Sequence, residues 1–435
     1  AGGVQVYGLD ERLWGMLHTA DATAPPAGVS VPAVPTGNEV VLNRRTADAL
    51  GAEVGDEVSL VIEIPPTIPR DALLGDRDLT VTDLVLTVSG IAGDRLTLGR
   101  FGLNPSQQLP LNAYVSLLTL QRQIGLSAIP ATRRNPVAKL GRVNAMFVSL
   151  PPGGGADPVA ASAAGDVLTR ALHETSSLAD LALRLTPDAT ERYIALESEQ
   201  MILERSIADL AVMTARDLGA NTSPVLVYLL NRLGTPDPTA GDAEQGYSMY
   251  SVAAGIEFGD RPPFGPFEFI DGEAPPLSPD PGPAIPVVIN DWLADDLVGA
   301  GGDGERIQVG AEFPVRYHVV GGRGELPEEE RTFRVAGIAR LAGPAADQHL
   351  TPKVEGVTDV ESYSDWREPF PLDHDAITPR DDDYWKAHRA TPKVFLRLAD
   401  AQRLWQSRYG DLTSIRLAPA ADQSLEDLTR SFTEK

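Results

Sequence analysis

Val40 to Leu60 reads VVLNRRTADALGAEVGDEVSL, and four devices follow one another in it: an apolar strand, a capped short helix, a glycine stop and a tight turn. Asn43 suits the N-cap, because its side-chain oxygen can accept from the free amides of a first helical turn. Ala47 and Leu50 fall on one face of that helix, and Gly51 can take the left-handed conformation that ends it. Gly55-Asp56 then turns the chain into Val58-Leu60-Ile62, whose alternation is that of a half-buried strand.

The same unit returns. Val287-Val288-Ile289-Asn290 repeats Val40-Val41-Leu42-Asn43, and the offset of 247 residues from Asn43 to Asn290 also relates Ala47, Asp48 and Leu50 to Ala294, Asp295 and Leu297. An insertion at Gly299–Arg306 moves the offset to 255, where Val309-Gly310, Glu312 and Phe313 answer Val54-Gly55, Glu57 and Val58. At the next strand end the offset is 247 again, aligning Phe333-Val335-Gly337-Ile338 with Leu86-Val88-Gly90-Ile91. Lys393–Arg403 then parallels Tyr114–Arg122, both ending on Gln-Arg, and Thr413–Leu417 parallels an apolar stretch at Val143–Leu150 that reads as a strand. Collinear matches over this span are the mark of an internal duplication.

Working outward, a strand is expected at Val4–Leu9, a Pro/Ala/Gly/Val-rich connector at 20–37, and a Pro- and Asp-punctuated loop at 65–78. Pro151-Pro152 with Gly153-Gly154-Gly155 is the clearest linker. Helices are expected near Val159–Glu174 and Glu199–Leu218, the second with Ile202, Ile207, Leu210 and Met213 as its apolar face, and strands near Leu181–Leu185 and Tyr193–Leu196. Further strands fall at Val225–Leu229 and Met249–Ala253, followed by a Pro-rich loop over 261–286. The expected fold class is therefore α+β, or mixed α/β. Two divergent lobes of small mixed sheets with short helices, residues 1–150 and 223–435, are joined by a linker and helical middle segment at 151–222.

At 435 residues, two or three domains are expected. A hydrophobic content of 43% with 23% charged residues belongs to a folded chain. The formal net charge of -24 argues against nucleic acid and anionic membranes as partners. With no cysteine, thiolate chemistry, cysteine-ligated metals and disulfides are all excluded. No run of 18 apolar residues is present to span a bilayer. The start at Ala1-Gly2-Gly3, without initiator Met or signal peptide, reads as a piece of a longer protein or a processed one.

Motifs of chemistry are missing: no GxSxG, HExxH, GxxxxGK[ST] or strand-borne GxGxxG occurs. The six histidines, at 18, 173, 318, 349, 374 and 388, never reach helical metal-ligand spacing. Ser116, Ser149 and Ser248 have no base near them in sequence. Arg12-Leu13-Trp14 and Trp385 read as packing anchors rather than ligand stackers. The glycines at 153–155 and 299–304 lead into no helix with a following Lys, so they read as loops. Asn221-Thr222-Ser223 is a glycosylation sequon that matters only in a glycosylating host. The acidic stretch Asp365–His388 is foremost a solvated loop; as a cation site, its candidate ligands are Asp373, Asp375 and Asp381. Neither a catalytic residue nor a cofactor is expected.

One family does resemble this chain in an ordered set of segments. These are GLDERLW at Gly8–Trp14, VLN with LG and VGDEV, PRDALLGDRD at Pro69–Asp78, AYVSLLTLQ at Ala113–Gln121 and GRVNAMFV at Gly141–Val148. YIALES at Tyr193–Ser198, Val227-Tyr228, Tyr247-Ser248, VVINDWLADDL at Val287–Leu297, GPAADQHLTP at Gly343–Pro352 and ATPKVFLRL at Ala390–Leu398 continue it. Together they resemble the extracytoplasmic region of large FtsX/MacB-like ABC transporter permeases, although the VLN…LG…VGDEV element alone also occurs in double-psi barrels. The resemblance implies a MacB-like periplasmic core and a non-enzymatic domain, held outside the cytoplasmic membrane between hydrophobic helices of the same permease. It further implies indirect coupling to a cytoplasmic ATP-binding subunit and an extracytoplasmic protein or lipoprotein as partner. The chain itself contains neither flanking helices nor a nucleotide-binding domain, and no family residue transfers to a position here. The alternative is a secreted binding module or hydrolase with a Ca²⁺ site in the loop at 365–388.

Overall fold

The repeated stretch seeds two sheets, one in each of two compact units: Ala1–Pro65 with Leu79–Glu174, and Pro66–Asp78 with Thr175–Lys435. The structure, a computed structural model, describes residues 3–19, 31–64, 68, 81–103, 109–133, 138, 140–148, 158–235, 246–276, 282–298, 306–321, 325–354, 356–366 and 372–435. Calls on 20–30, 65–67, 69–80, Ser149, 151–157 and 299–305 lie outside those residues. The class is mixed α+β, with mixed sheets and short helices.

In the first unit come β1 (Gln5–Leu9), α1 (Glu11–Thr19), β2 (Glu39–Asn43), α2 (Arg44–Leu50), β3 (Glu57–Glu63), β4 (Val81–Ala92), α3 (Thr97–Arg100), β5 (Asn112–Ser116), α4 (Leu117–Gln123) and α5 (Pro158–Thr175). The strands form one sheet in the order β1-β5-β2-β4-β3. Asn43 Oδ1 accepts from the Thr46 amide at 3.0 Å, and Gly51 ends α2 at φ 66°. Leu50 is exposed while Ala47 is buried, because so short a helix lays only Thr46 and Ala47 on the sheet.

The second unit contributes β6 (Leu183–Pro187), β7 (Ile194–Ser198), α6 (Arg205–Asp217), β8 (Asn221–Gly234), β9 (Tyr247–Ile256), β10 (Phe269–Gly272), β11 (Ile285–Asn290), α7 (Asp291–Asp296), β12 (Glu312–His318), β13 (Glu328–Ala339), α8 (Pro379–His388), β14 (Val394–Arg397), α9 (Leu398–Trp405), β15 (Ser414–Ala418) and α10 (Leu425–Glu434). Their order is β10-β13-β11-β14-β9-β8-β15-β7-β6, and β12 pairs with both β13 and β8. The circuit β8-β9-β14-β11-β13-β12 therefore closes into a six-stranded barrel. Alternate residues fill it: Val287 and Ile289 of β11, with Val394 and Leu396 of β14, point to one core, while Val288 and Phe395 point to the other.

Strand registers establish the duplication. Val41 pairs with Gly90 and Val288 with Gly337, each just beyond a register shift at the same relative place. Val41 faces Tyr114 as Val288 faces Phe395, and Val58 faces Leu86 as Phe313 faces Phe333. The turn is reproduced too. Gly55 and Gly310 take φ 101° and 92°, and their amides donate to Val88 and Val335 at 2.8 Å. The repeat also extends further back than the sequence shows: Tyr7 pairs with Tyr114 and Ala254 with Phe395, so β1 corresponds to β9 at the offset of 247. Gly8 and Gly255 are then equivalent, and each lets a helix lie on its strand. A Cβ on Gly8 would meet Leu120 Cδ2 at 3.0 Å, and one on Gly255 would meet Ala401 Cβ at 2.2 Å.

Two expectations need correction. Residues 143–148 are not a strand; Val143, Met146, Phe147 and Val148 are exposed. Their counterpart β15 is a strand because β8 and β7 flank it. In α6 the buried face is Ala208, Ala211 and Ala215, while Leu210 and Met213 are exposed. Small side chains let the helix settle close to the sheet formed by β7, β8 and β15.

Candidate functional site

Two buried polar clusters in the second unit carry its charged chemistry. The first gathers around Lys393, one residue before β14 and 1% exposed. Its Nζ donates to Ser248 Oγ at 2.7 Å, Asp296 Oδ2 at 3.2 Å and Asp381 Oδ1 at 3.3 Å, and it sits 4.5 Å from the Tyr384 ring centroid. Ser248 comes from the start of β9, Asp296 from the end of α7, and Asp381 from the first turn of α8. Asp381 is fixed by a capping box: its Oδ2 accepts from the Thr378 amide and hydroxyl at 3.1 and 2.9 Å. Its Oδ1 accepts from the Ser248 hydroxyl at 2.6 Å and the Met249 amide at 3.2 Å. Arg380 Nε closes the set on Asp296 Oδ1 at 2.6 Å. Two cations face two carboxylates, and the quartet balances.

Ser248 has no base near it in sequence, and the fold brings it a lysine from 145 residues further along the chain and a carboxylate from 133. That pair does not make a nucleophile. The hydroxyl proton goes to Asp381, the amine between two carboxylates is a donor, and Ser248 is fully buried. Neighbouring groups respond to the same burial. The Tyr384 hydroxyl is pushed up by burial, against the hydrogen bond from Asn290. His388, between the rings of Trp292 and Tyr384, is held below its ordinary value by burial, with Asp291 raising it and Lys393 lowering it.

The second cluster centres on Arg416 of β15, buried among Tyr193, Phe264 and Asp347. Its Nη2 donates to Ser223 Oγ at 2.7 Å and its Nη1 lies 3.4 Å from Asp347 Oδ2, which also accepts from the Tyr193 hydroxyl at 2.6 Å. Burial pushes the Tyr193 hydroxyl up, reinforced by the Asp347 charge. Burial lowers Arg416 while Tyr193 and Asp347 act the other way.

The remaining sequence candidates fall apart from one another. Asp373 and Asp375 are exposed, while Asp381 is buried with both oxygens occupied by protein donors. Among the described residues no group of three or more His, Asp or Glu side chains comes together as a metal site would. Trp14 and Trp385 are core residues, the latter tilted against Tyr363 and edge-on to Trp366, whereas Arg12 is exposed beside Asp10. Ser116 stands before α4 without capping it. Asn221 opens β8, and Ser223 of the same sequon faces Arg416. A 220 Å³ hollow beside β11 and α9 contains Arg397, Asp400 and Arg403, but both arginines are engaged by Asp400. Sequence reasoning missed Lys393, Asp296, Asp347 and Arg416; for Lys393 and Arg416 the available signal was a lone charge beside or within an otherwise apolar strand, and for Asp296 and Asp347 there was none.

These features define a duplicated α+β chain whose second copy closes as a barrel over an apolar core and carries two clusters of buried ion pairs beside it. No family model matches it, and no curated protein does. Among solved structures it is similar to the periplasmic region of MacB from Actinobacillus actinomycetemcomitans, at 11% identity and a TM-score of 0.27, covering 53% of this chain and 72% of that one. A likeness of that degree leaves fold and function to be read from the chain itself. Among the described residues no helix is long and apolar enough to cross a membrane.

Proposed function

We propose that the chain is a non-catalytic, extracytoplasmic domain of an ABC-type permease of the FtsX/MacB-like kind. It docks a substrate or partner protein and couples mechanically to a cytoplasmic ATPase through the transmembrane helices of the same permease. What supports this is where the family-like segments lie. Tyr193–Ser198, Tyr247-Ser248, Val287–Leu297, Gly343–Pro352 and Ala390–Leu398 supply Tyr193, Ser248, Asp296, Asp347 and Lys393, all buried in the two polar clusters. In these segments the polar residues hold elements together rather than line an open cleft. Two units on one chain are also the parts that a hinge requires. The parent open reading frame tests the reading: apolar spans of about 20 residues are expected just before Ala1 and just after Lys435. Polar flanks on both sides would overturn it.

A further inference from the structure

In the first copy the Thr119 hydroxyl donates to the Gly37 carbonyl at 2.8 Å and ties α4 to the chain that leads into β2. Tyr114 and Phe395 hold the same register position, so Thr119, Arg122 and Gly37 correspond to Asp400, Arg403 and Ala284. A carboxylate has no proton to give a carbonyl, so Asp400 cannot repeat that bond. At the corresponding place in the second copy lies the 220 Å³ hollow, between the start of β11 and the helix α9. Its charge runs against the rest of the chain. Asp400, its side chain 2% exposed, accepts from Arg397 Nε at 2.6 Å and also from Arg403. Arg397 is held further by the Pro276 carbonyl at 2.8 Å, whereas the Arg403 side chain is 66% exposed where it lines the hollow. One carboxylate thus answers two guanidiniums, and among the described lining residues no other is charged. A surplus of one positive charge stands here in a chain of formal charge -24. The walls beside it are apolar, from Ala284, Ile285 and Leu404.

We propose that this hollow binds a small organic acid, a carboxylate carried on an apolar body. The carboxylate sets against Arg403, whose planar fork presents donors to two oxygens at once. The apolar body lies against Ile285 and Leu404. At 220 Å³ the space is below the roughly 300 Å³ at which sites for drug-sized ligands begin, so the acid is small. Asp400 positions the two arginines and leaves one charge for the ligand to neutralise. The site goes beyond the docking role proposed above and stands on the geometry of the second copy alone.

The test titrates the full chain calorimetrically with 4-methylpentanoate and with its amide, which has the same shape without the charge. Saturable binding of the acid is expected, at least tenfold tighter than that of the amide. Arg403→Gln, at an exposed side chain, is expected to weaken the acid at least tenfold while the circular dichroism spectrum stays the same. Arg403→Lys keeps the charge without the fork and should fall between the two. Arg122→Gln, at the equivalent position in the first copy, should leave binding unchanged. Absence of saturable binding by the acid would overturn the proposal, as would equal binding of acid and amide or binding untouched by Arg403→Gln. Displacement of the acid by inorganic phosphate at equal concentration would also overturn it, because the site would then recognise a bare anion.

Discussion

Replacing Lys393 by methionine keeps the stem that packs on Tyr384 and removes the charge that Asp296 and Asp381 share. Asp296 retains Arg380, whereas Asp381 is left as a buried carboxylate whose nearest cation has gone. Removing one partner of a buried pair costs about 3–5 kcal/mol, chiefly because the remaining charge is uncompensated. The second unit has about 270 residues, and at roughly 2 cal/mol/K each its unfolding entropy is about 0.6 kcal/mol/K, so Lys393→Met should lower its Tm by about 7 °C. Four of the five tryptophans, 292, 366, 385 and 405, belong to this unit, so the fluorescence transition in denaturant reports on it. The double variant Lys393→Met with Asp381→Asn decides the cause. Asparagine still offers an oxygen to Thr378 and a donor to Ser248 but leaves the Met249 amide without its acceptor, so part of the lost stability should return. A double variant no more stable than Lys393→Met would refute the charge argument, and a single-variant loss below about 1 kcal/mol would place the quartet with surface pairs.

Further outcomes follow from the duplication and from burial. Gly255→Ala should destabilise the second unit by about 1–3 kcal/mol, because the new Cβ meets Ala401 at 2.2 Å, while Gly8→Ala, against the flexible end of Leu120 at 3.0 Å, should cost less; paired denaturant melts compare them. In α6, Ala211→Leu should cost about 1–3 kcal/mol, and Leu210→Gln and Met213→Gln should stay within about 0.5 kcal/mol. His388 titrates below its ordinary value of 6.5 in the folded chain, so the stability it contributes is complete above 6.5 and is lost as pH falls through the lower folded value. His388→Gln should flatten the fall of stability below pH 6.5, and an unchanged profile would exclude His388 as its source.

Much of the core was legible because the informative residues are local. Asn43 and Asn290 cap the next helix, Gly55 and Gly310 turn the chain, and alternation marks the strands on either side. The Val143 stretch shows what a local pattern leaves open. Its apolar content is right for a strand, but strandedness there depends on a partner, and among the described residues only the Thr413 copy has one. The face of α6 was misread for a related reason, since large apolar residues were weighed above alanines, and close packing on a sheet favours the alanines. The ionic quartet was out of reach, because Asp296, Arg380, Asp381 and Lys393 meet only when α7, α8 and the start of β14 are assembled.

The two copies also differ in a way that explains the quartet. Registers place Asn112 at the position of Lys393, since Tyr114 corresponds to Phe395. In the first unit that position is neutral: the Asn112 amide donates to Asn43 Oδ1 at 3.1 Å and its side chain donates to Phe101 O at 2.8 Å. The second copy carries a much longer connection between β13 and β14, and α8 lies within it. Lys393 belongs to the shared core and Asp296 to the shared helix, whereas Asp381 and Arg380 come from the added connection. The quartet therefore fastens an insertion to a duplicated frame. A charge-balanced contact suits that task, because it fixes one docking geometry for α8 where an apolar contact of similar area would accept several.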